Sequence, residues 1–85
     1  MRVLITGHTG FKGAWLSLMM TQRGDEVFGL ALDPEPGSLF ETAHVAQDLA
    51  GDIRGDIRDP ETVGKALDSI APNAVIHMAA QPLVR

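Results

Sequence analysis

Glycine stands at positions 7, 10 and 13, directly after the apolar run Val3-Leu4-Ile5 and at the head of an apolar stretch that opens with Phe11. The segment reads Thr6-Gly7-His8-Thr9-Gly10-Phe11-Lys12-Gly13. A buried strand that turns through glycines into a helix brings free backbone N–H groups and the positive end of a helix dipole to one point. That combination suits a diphosphate. Gly7 permits the tight turn, Gly10 lets backbone approach the ligand with no Cβ in the way, and Gly13 lets the helix pack closely on the strand. The plain alternative is a glycine-rich turn with no ligand. The flanking elements and an acid downstream favour a dinucleotide.

Asp33 is that acid, about 20 positions beyond Gly13, where a ribose-binding carboxylate is expected. It would accept hydrogen bonds from both adenosine ribose hydroxyls and repel a 2′-phosphate. No arginine follows it directly, so the expected coenzyme is NAD rather than NADP. The alternative is a turn-forming Asp before Pro34. Asp56 and Ile57 come at the end of a third strand. Asp56 is either a partner of the adenine amino group, with Ile57 covering the ring, or a loop carboxylate. Lys12 either neutralises pyrophosphate or points into solvent. His8 adds bulk where close approach is wanted, so the pair is expected to tune coenzyme affinity. His77 reads as a satisfied core histidine, His44 as solvated and Trp15 as core packing. No His and carboxylate cluster has metal-ligand spacing, so neither a metal nor a catalytic residue is expected here.

The elements that position these residues alternate. Arg2 to Thr6 reads as a buried strand. Phe11 to Arg23 reads as a helix whose inner face carries Phe11, Ala14, Trp15, Leu18 and Met19, ended by a left-handed Gly24. Glu26 to Leu32 is a second strand, and two prolines make Asp33 to Gly37 a loop. Leu39 to Val45 is a short helix. The tandem Gly51-Asp52-Ile53-Arg54 and Gly55-Asp56-Ile57-Arg58 is read as coincidence, with the third strand over Gly51 to Gly55. Asp59-Pro60-Glu61 opens a helix that runs to Ile70. Ala74 to Met78 is a fourth buried strand. The fold class is therefore α/β: part of a Rossmann-type, doubly wound parallel sheet, four strands in order 3-2-1-4 with flanking helices, the fourth strand at an exposed edge.

Composition narrows the partners. The chain has 85 residues, 45% of them apolar, with no cysteine and a net charge of −4. That is one small domain or a piece of a larger one, of marginal stability alone. No basic stripe is present, so no nucleic acid is expected. No apolar run approaches the ~20 residues of a membrane span. Met1-Arg2 leads straight into a strand with no signal peptide, so a cytoplasmic protein is expected.

The Thr6-Gly7-x-x-Gly10-x-x-Gly13 pattern resembles that of the extended short-chain dehydrogenase/reductases. More narrowly, Gly7-His8-Thr9-Gly10-Phe11-Lys12-Gly13-Ala14-Trp15-Leu16 resembles the CDP-glucose 4,6-dehydratase family. Ser38-Leu39-Phe40-Glu41, Gly55-Asp56-Ile57-Arg58-Asp59 and His77-Met78-Ala79-Ala80-Gln81-Pro82-Leu83-Val84-Arg85 match the same pattern. Related dTDP-glucose dehydratases and UDP-sugar epimerases usually carry Gly at the position of His8 and Ile or Val at that of Lys12. The doubled Gly-Asp-Ile-Arg departs from the pattern. The resemblance implies NAD contacts from Gly7, Thr9, Gly10, Phe11, Lys12, Asp33, Asp56, Ile57, Ala79, Ala80 and Gln81. It implies that residues 1–85 are the N-terminal part of an NAD-binding Rossmann domain. The catalytic Ser/Thr and Tyr-x-x-x-Lys and the sugar-nucleotide domain would then lie beyond Arg85. The segment alone would be inactive, and the intact protein a homo-oligomer. The implied reaction turns CDP-glucose into CDP-4-keto-6-deoxyglucose by transient oxidation at C4, loss of water across C5 and C6, and return of hydride to C6. A nucleotide-sugar epimerase or reductase and a non-catalytic dinucleotide-binding module are the alternatives.

Overall fold

The computed structural model describes residues 1–78. The elements run β1 (Arg2–Thr6), α1 (Phe11–Gln22), β2 (Glu26–Ala31), α2 (Leu39–Thr42), α3 (Val45–Asp48), β3 (Gly51–Arg54), α4 (Pro60–Ile70) and β4 (Ala74–His77). All pairings are parallel and the strand order is β3-β2-β1-β4, as expected. Val3 lies opposite Val27 and Ala74, and Leu30 lies opposite Thr6 and Ile53. Parallel strands put every carboxyl end at one edge of the sheet, so the segments after β1, β2 and β3 meet there.

The period-2 alternation of a strand divides the core. Val3, Ile5 and Val27 face α1 and pack on Met20. Leu4 and Leu30 face the other way, onto Ala66 and Ile70 of α4. A third cluster, Ala14, Phe40 and Val45, joins α1 to the short helices. Asn73 ties β4 to β1: its side-chain oxygen accepts from the Arg2 N–H at 2.8 Å, and its own N–H donates to the Arg2 carbonyl at 2.8 Å.

The structure departs from expectation in four places. The inner face of α1 is Gly13, Ala14, Ser17 and Met20, while Phe11 is 68% exposed and Trp15 and Met19 are each 54% exposed. Trp15 is therefore not core packing. A helix that is apolar nearly all round carries no phase in its hydrophobicity; here the smallest residues face the sheet, because the helix sits close to it. β2 stops at Ala31, level with the end of β3 at Arg54, and Leu32 is exposed. The expected single helix after the proline loop is two one-turn helices, split by His44 in a left-handed conformation (φ 53°) that turns Val45 inward. β4 takes the edge position expected of it, but Val75 is half exposed rather than buried, and His77 is exposed rather than in the core, held by a 2.6 Å hydrogen bond between its Nδ1 and Thr6 Oγ1. Gly24 does take the left-handed conformation (φ 94°), and His44 is exposed.

Two substitutions in the full-length protein should move stability in opposite directions. Leu4 is fully buried, so Leu4→Ala should cost about 2–5 kcal/mol in denaturant unfolding. Gly64 lies inside α4 with open space where a Cβ would go, so Gly64→Ala should stabilise by about 0.5–1 kcal/mol.

Candidate functional site

The turn from β1 into α1 is held by backbone. The Gly7 N–H donates to the Leu30 carbonyl at 2.9 Å, and the Gly10 N–H donates to the Gly7 carbonyl at 3.2 Å. Gly7 has φ 81°, a conformation that favours glycine. A Cβ on Gly13 would overlap the Gly7 carbonyl and the His8 Cα, so no side chain fits between the helix and the strand end. The helix starts at Gly10, which supplies no side-chain cap, and its first turn carries no acid. The first-turn amides have no intrahelical acceptor and open toward the edge of the sheet. Such a start suits an anion. Exposed Phe11 and Lys12 stand beside it.

Thr9 Oγ1 donates to the Leu32 carbonyl at 3.0 Å, which ties this loop to the end of β2. Asp33 follows immediately, its side chain 85% exposed. One oxygen accepts from Arg54 Nη1 at 3.1 Å. Asp56 lies after β3, where Arg58 grips it through its N–H (2.9 Å), Nε (3.0 Å) and Nη2 (2.7 Å). Those hydrogen bonds hold the Asp56 carboxyl at about 2. Ile57 is half-buried against the cluster of Leu4, Leu30, Ala66 and Ile70. The structure thus brings Gly7, Thr9, Gly10, Phe11, Lys12, Gly13, Asp33, Asp56 and Ile57 to one sheet edge. Ala79, Ala80 and Gln81 lie outside the described residues.

His8 does not obstruct the loop. Its ring turns inward and is fully buried over Gly29, where a Cβ would collide with it. Nε2–H donates to Asp52 at 2.6 Å, and the ring meets Phe40 edge to face at 5.2 Å. Nδ1 has no hydrogen-bond partner; the Leu30 carbonyl, which leans toward the ring, already accepts from Gly7. Burial therefore lowers the His8 pKa, against the opposing pull of Asp52. For Asp52 the largest single influence, desolvation, pushes upward, but hydrogen bonds from Arg54 and His8 outweigh it and leave the carboxyl below its ordinary value. Arg54 grips Asp52 through Nε (3.0 Å) and Nη2 (2.8 Å), and its guanidinium stacks over Phe40 at 5.1 Å.

Asp52 and Arg54 were not expected at the site. The only signal for them was the doubled Gly-Asp-Ile-Arg, and the strand register is what brings Arg54 opposite Ala31, beside Asp33. An arginine does stand at Asp33, although none follows it directly in sequence.

Comparison with known proteins agrees with this geometry. The family model described as GDP-mannose 4,6 dehydratase matches residues 4–85. The chain belongs to that family. It is 53% identical to the CDP-glucose 4,6-dehydratase of Salmonella typhimurium, over 99% of this chain and 23% of that protein. It is 35% identical to UDP-glucuronate 4-epimerase 1 of Arabidopsis thaliana, over 98% of this chain and 20% of that protein. Among solved structures it resembles a UDP-glucose-4-epimerase from Stenotrophomonas maltophila with bound NAD and formylated UDP-arabinopyranose. The TM-score there is 0.75 at 27% identity, covering 99% of this chain and 26% of that one. The chain thus spans about a quarter of the length of such relatives. No helix among the described residues is long and apolar enough to cross a membrane, and no group of His, Cys, Asp or Glu among them could hold a metal ion.

Burial of His8 sets a pH dependence. An unfolded histidine binds a proton below about 6.5, whereas folded His8 resists it, so the unfolded state binds more protons as pH falls. The full-length protein should melt at a lower temperature at pH 5.5 than at pH 7.5. The difference should shrink in His8→Gln, which keeps a donor toward Asp52 but cannot titrate.

Proposed function

We propose that residues 1–85 are the N-terminal, NAD-holding part of a nucleotide-sugar 4,6-dehydratase that acts on CDP-glucose. The observation that carries the coenzyme reading is the meeting, at one sheet edge, of a glycine cradle too tight for any Cβ at Gly13 and the exposed carboxylate of Asp33. In this reading the first-turn amides with Gly7, Thr9 and Gly10 hold the pyrophosphate, and Lys12 is the cation beside it. Asp33 clasps the adenosine ribose. Asp56, kept ionised by Arg58, accepts from the adenine amino group, and Ile57 lies against the ring. Ala79, Ala80 and Gln81 continue the coenzyme contacts, as the family resemblance suggests. The choice of substrate is supported by the 53% identity to a CDP-glucose 4,6-dehydratase.

When bound, NAD supplies a hydride acceptor and donor that ends the cycle unchanged. This segment binds and orients it; proton transfers belong to residues outside these 85. The intact protein is a soluble, cytoplasmic homo-oligomer in deoxysugar biosynthesis. A nucleotide-sugar epimerase is the second reading, favoured by the 35% identity to a UDP-glucuronate 4-epimerase.

Incubating the full-length protein and NAD with CDP-, dTDP- and UDP-glucose tests this. The expected product is CDP-sugar lighter by one water in mass spectrometry. An isomer of unchanged mass from a UDP-sugar supports the epimerase, and no product from any of them leaves a binding module. Gly13→Ala should weaken NAD at least about tenfold in equilibrium titration, because the helix must withdraw from the strand end.

A further inference from the structure

We propose that Arg54 shares control of coenzyme choice with Asp33: it is an anion anchor already in place for a 2′-phosphate, kept shut by the Asp33 carboxylate. The inference rests on the coenzyme reading above and deepens it. A lone ribose-binding acid excludes NADP by repulsion, and binding of NADP ordinarily needs an arginine nearby. Here the arginine is present, delivered by the neighbouring strand.

Three observations place it. First, the Arg54 fork is divided. Nε and Nη2 bind the two oxygens of Asp52, and only Nη1 reaches Asp33, at 3.1 Å. Neutralising Asp33 therefore frees Nη1, aimed at the spot where that carboxylate clasps the ribose, while the rest of the side chain stays fixed. Second, the fork is braced from behind. Asp52 takes a hydrogen bond from buried His8, and Phe40 lies under the guanidinium. Fixing the donors in advance is what makes a guanidinium an effective phosphate ligand. Third, there is room. A groove of about 570 Å³ opens at Asp33 and Arg54, bounded on its far side by Glu41, His44 and Gln47.

The charges in that groove oppose one another. Asp33 and Glu41 line it against the single guanidinium, which Asp52 grips from outside it; Glu41 Oε1 is partly occupied by the Gly37 N–H at 3.3 Å, and His44 is exposed beside it. With Asp33 ionised the groove refuses a doubly charged phosphate. Without that charge Arg54 is the nearest cation to the 2′ position, held by one remaining carboxylate.

The test uses the full-length protein stripped of coenzyme. NADH and NADPH are titrated by nicotinamide fluorescence. Adenosine 2′,5′-bisphosphate and 5′-AMP serve as competitors that read the adenosine half alone. Asp33→Asn should weaken NADH and tighten NADPH about tenfold or more, the scale of one charge-assisted contact. Asp33→Asn/Arg54→Gln should lose that gain, and adenosine 2′,5′-bisphosphate should follow NADPH in both. If Arg54→Gln fails to fold by thermal melting, Asp33→Asn/Arg54→Lys replaces it. That variant keeps the charge but not the fork, and its NADPH affinity should fall between those of Asp33→Asn and the unmutated protein. An unchanged gain in either double variant, or no gain in Asp33→Asn while NADH still binds, overturns the proposal. If neither NADH nor 5′-AMP binds the unmutated protein, the coenzyme reading itself falls, and this inference with it.

Discussion

One steric contact organises this molecule: Gly13 of α1 lies against the carbonyl of Gly7 at the end of β1 with no space for a methyl group. A helix can approach a strand end that closely only where both partners are bare backbone. The contact fixes the direction of α1, and that direction opens the first-turn amides beyond the sheet edge. It also fixes the helix rotation. Once Gly13 faces the strand, Ser17 and Met20 follow it inward at helical spacing, and Phe11 and Trp15 must face out. Ser17 is tolerated there because its hydroxyl donates to the Gly13 carbonyl at 2.7 Å, so burial leaves no polar group unpaired.

The second layer of support is His8. Turning the His8 ring inward braces the turn after β1 without filling its mouth. The ring occupies the space above Gly29 that a side chain at that position would take, rests against Phe40, and donates to Asp52. Through Asp52 and Arg54 it connects the loop after β1 to the end of β2 by way of β3. Every link in that chain is short, from 2.6 to 3.1 Å, and the innermost is shielded from water. Shielding has a consequence for charge. Burial of the ring disfavours its protonation, and the hydrogen bonds that Asp52 receives from Arg54 and His8 keep its carboxyl below the ordinary value.

Strand order and alternation were legible in the sequence because buried parallel strands are short apolar runs bounded by glycine, proline and acids, and right-handed crossovers leave few ways to connect them. The glycine turn from β1 into α1 and the place of Asp33 just after β2 were legible because they depend on local sequence. What was hidden depends on contacts between distant segments. The inner face of α1 is set by the Gly13 contact and not by hydrophobic periodicity. The left-handed His44 follows from the need to bury Val45 beside Ala14 and Phe40. The Arg54–Asp33 pair depends on the register of β3 against β2, in which Arg54 falls level with Ala31. Reading onward from Asp33 for a compensating arginine looks along the chain, whereas the sheet supplies one from the side.

The repeated Gly-Asp-Ile-Arg is the clearest case of one local pattern put to two uses. Both copies make the same bidentate pair between residues two apart, Asp52 with Arg54 and Asp56 with Arg58. Both isoleucines pack toward the cluster of Leu4, Leu30, Ala66 and Ile70. The chemistry of the copies is alike, and their surroundings are not. The first lies on β3 with a neighbouring strand, so its aspartate receives His8 and its arginine has a corner left for Asp33. The second lies in the turn before α4, where its arginine is largely solvated and grips only its own aspartate. A surface pair of that kind adds little stability, but it keeps a carboxylate ionised where the adenine end of a dinucleotide would lie. The same four residues thus build a braced anchor inside the sheet and a simple acceptor outside it, and the difference comes wholly from whether a strand runs alongside.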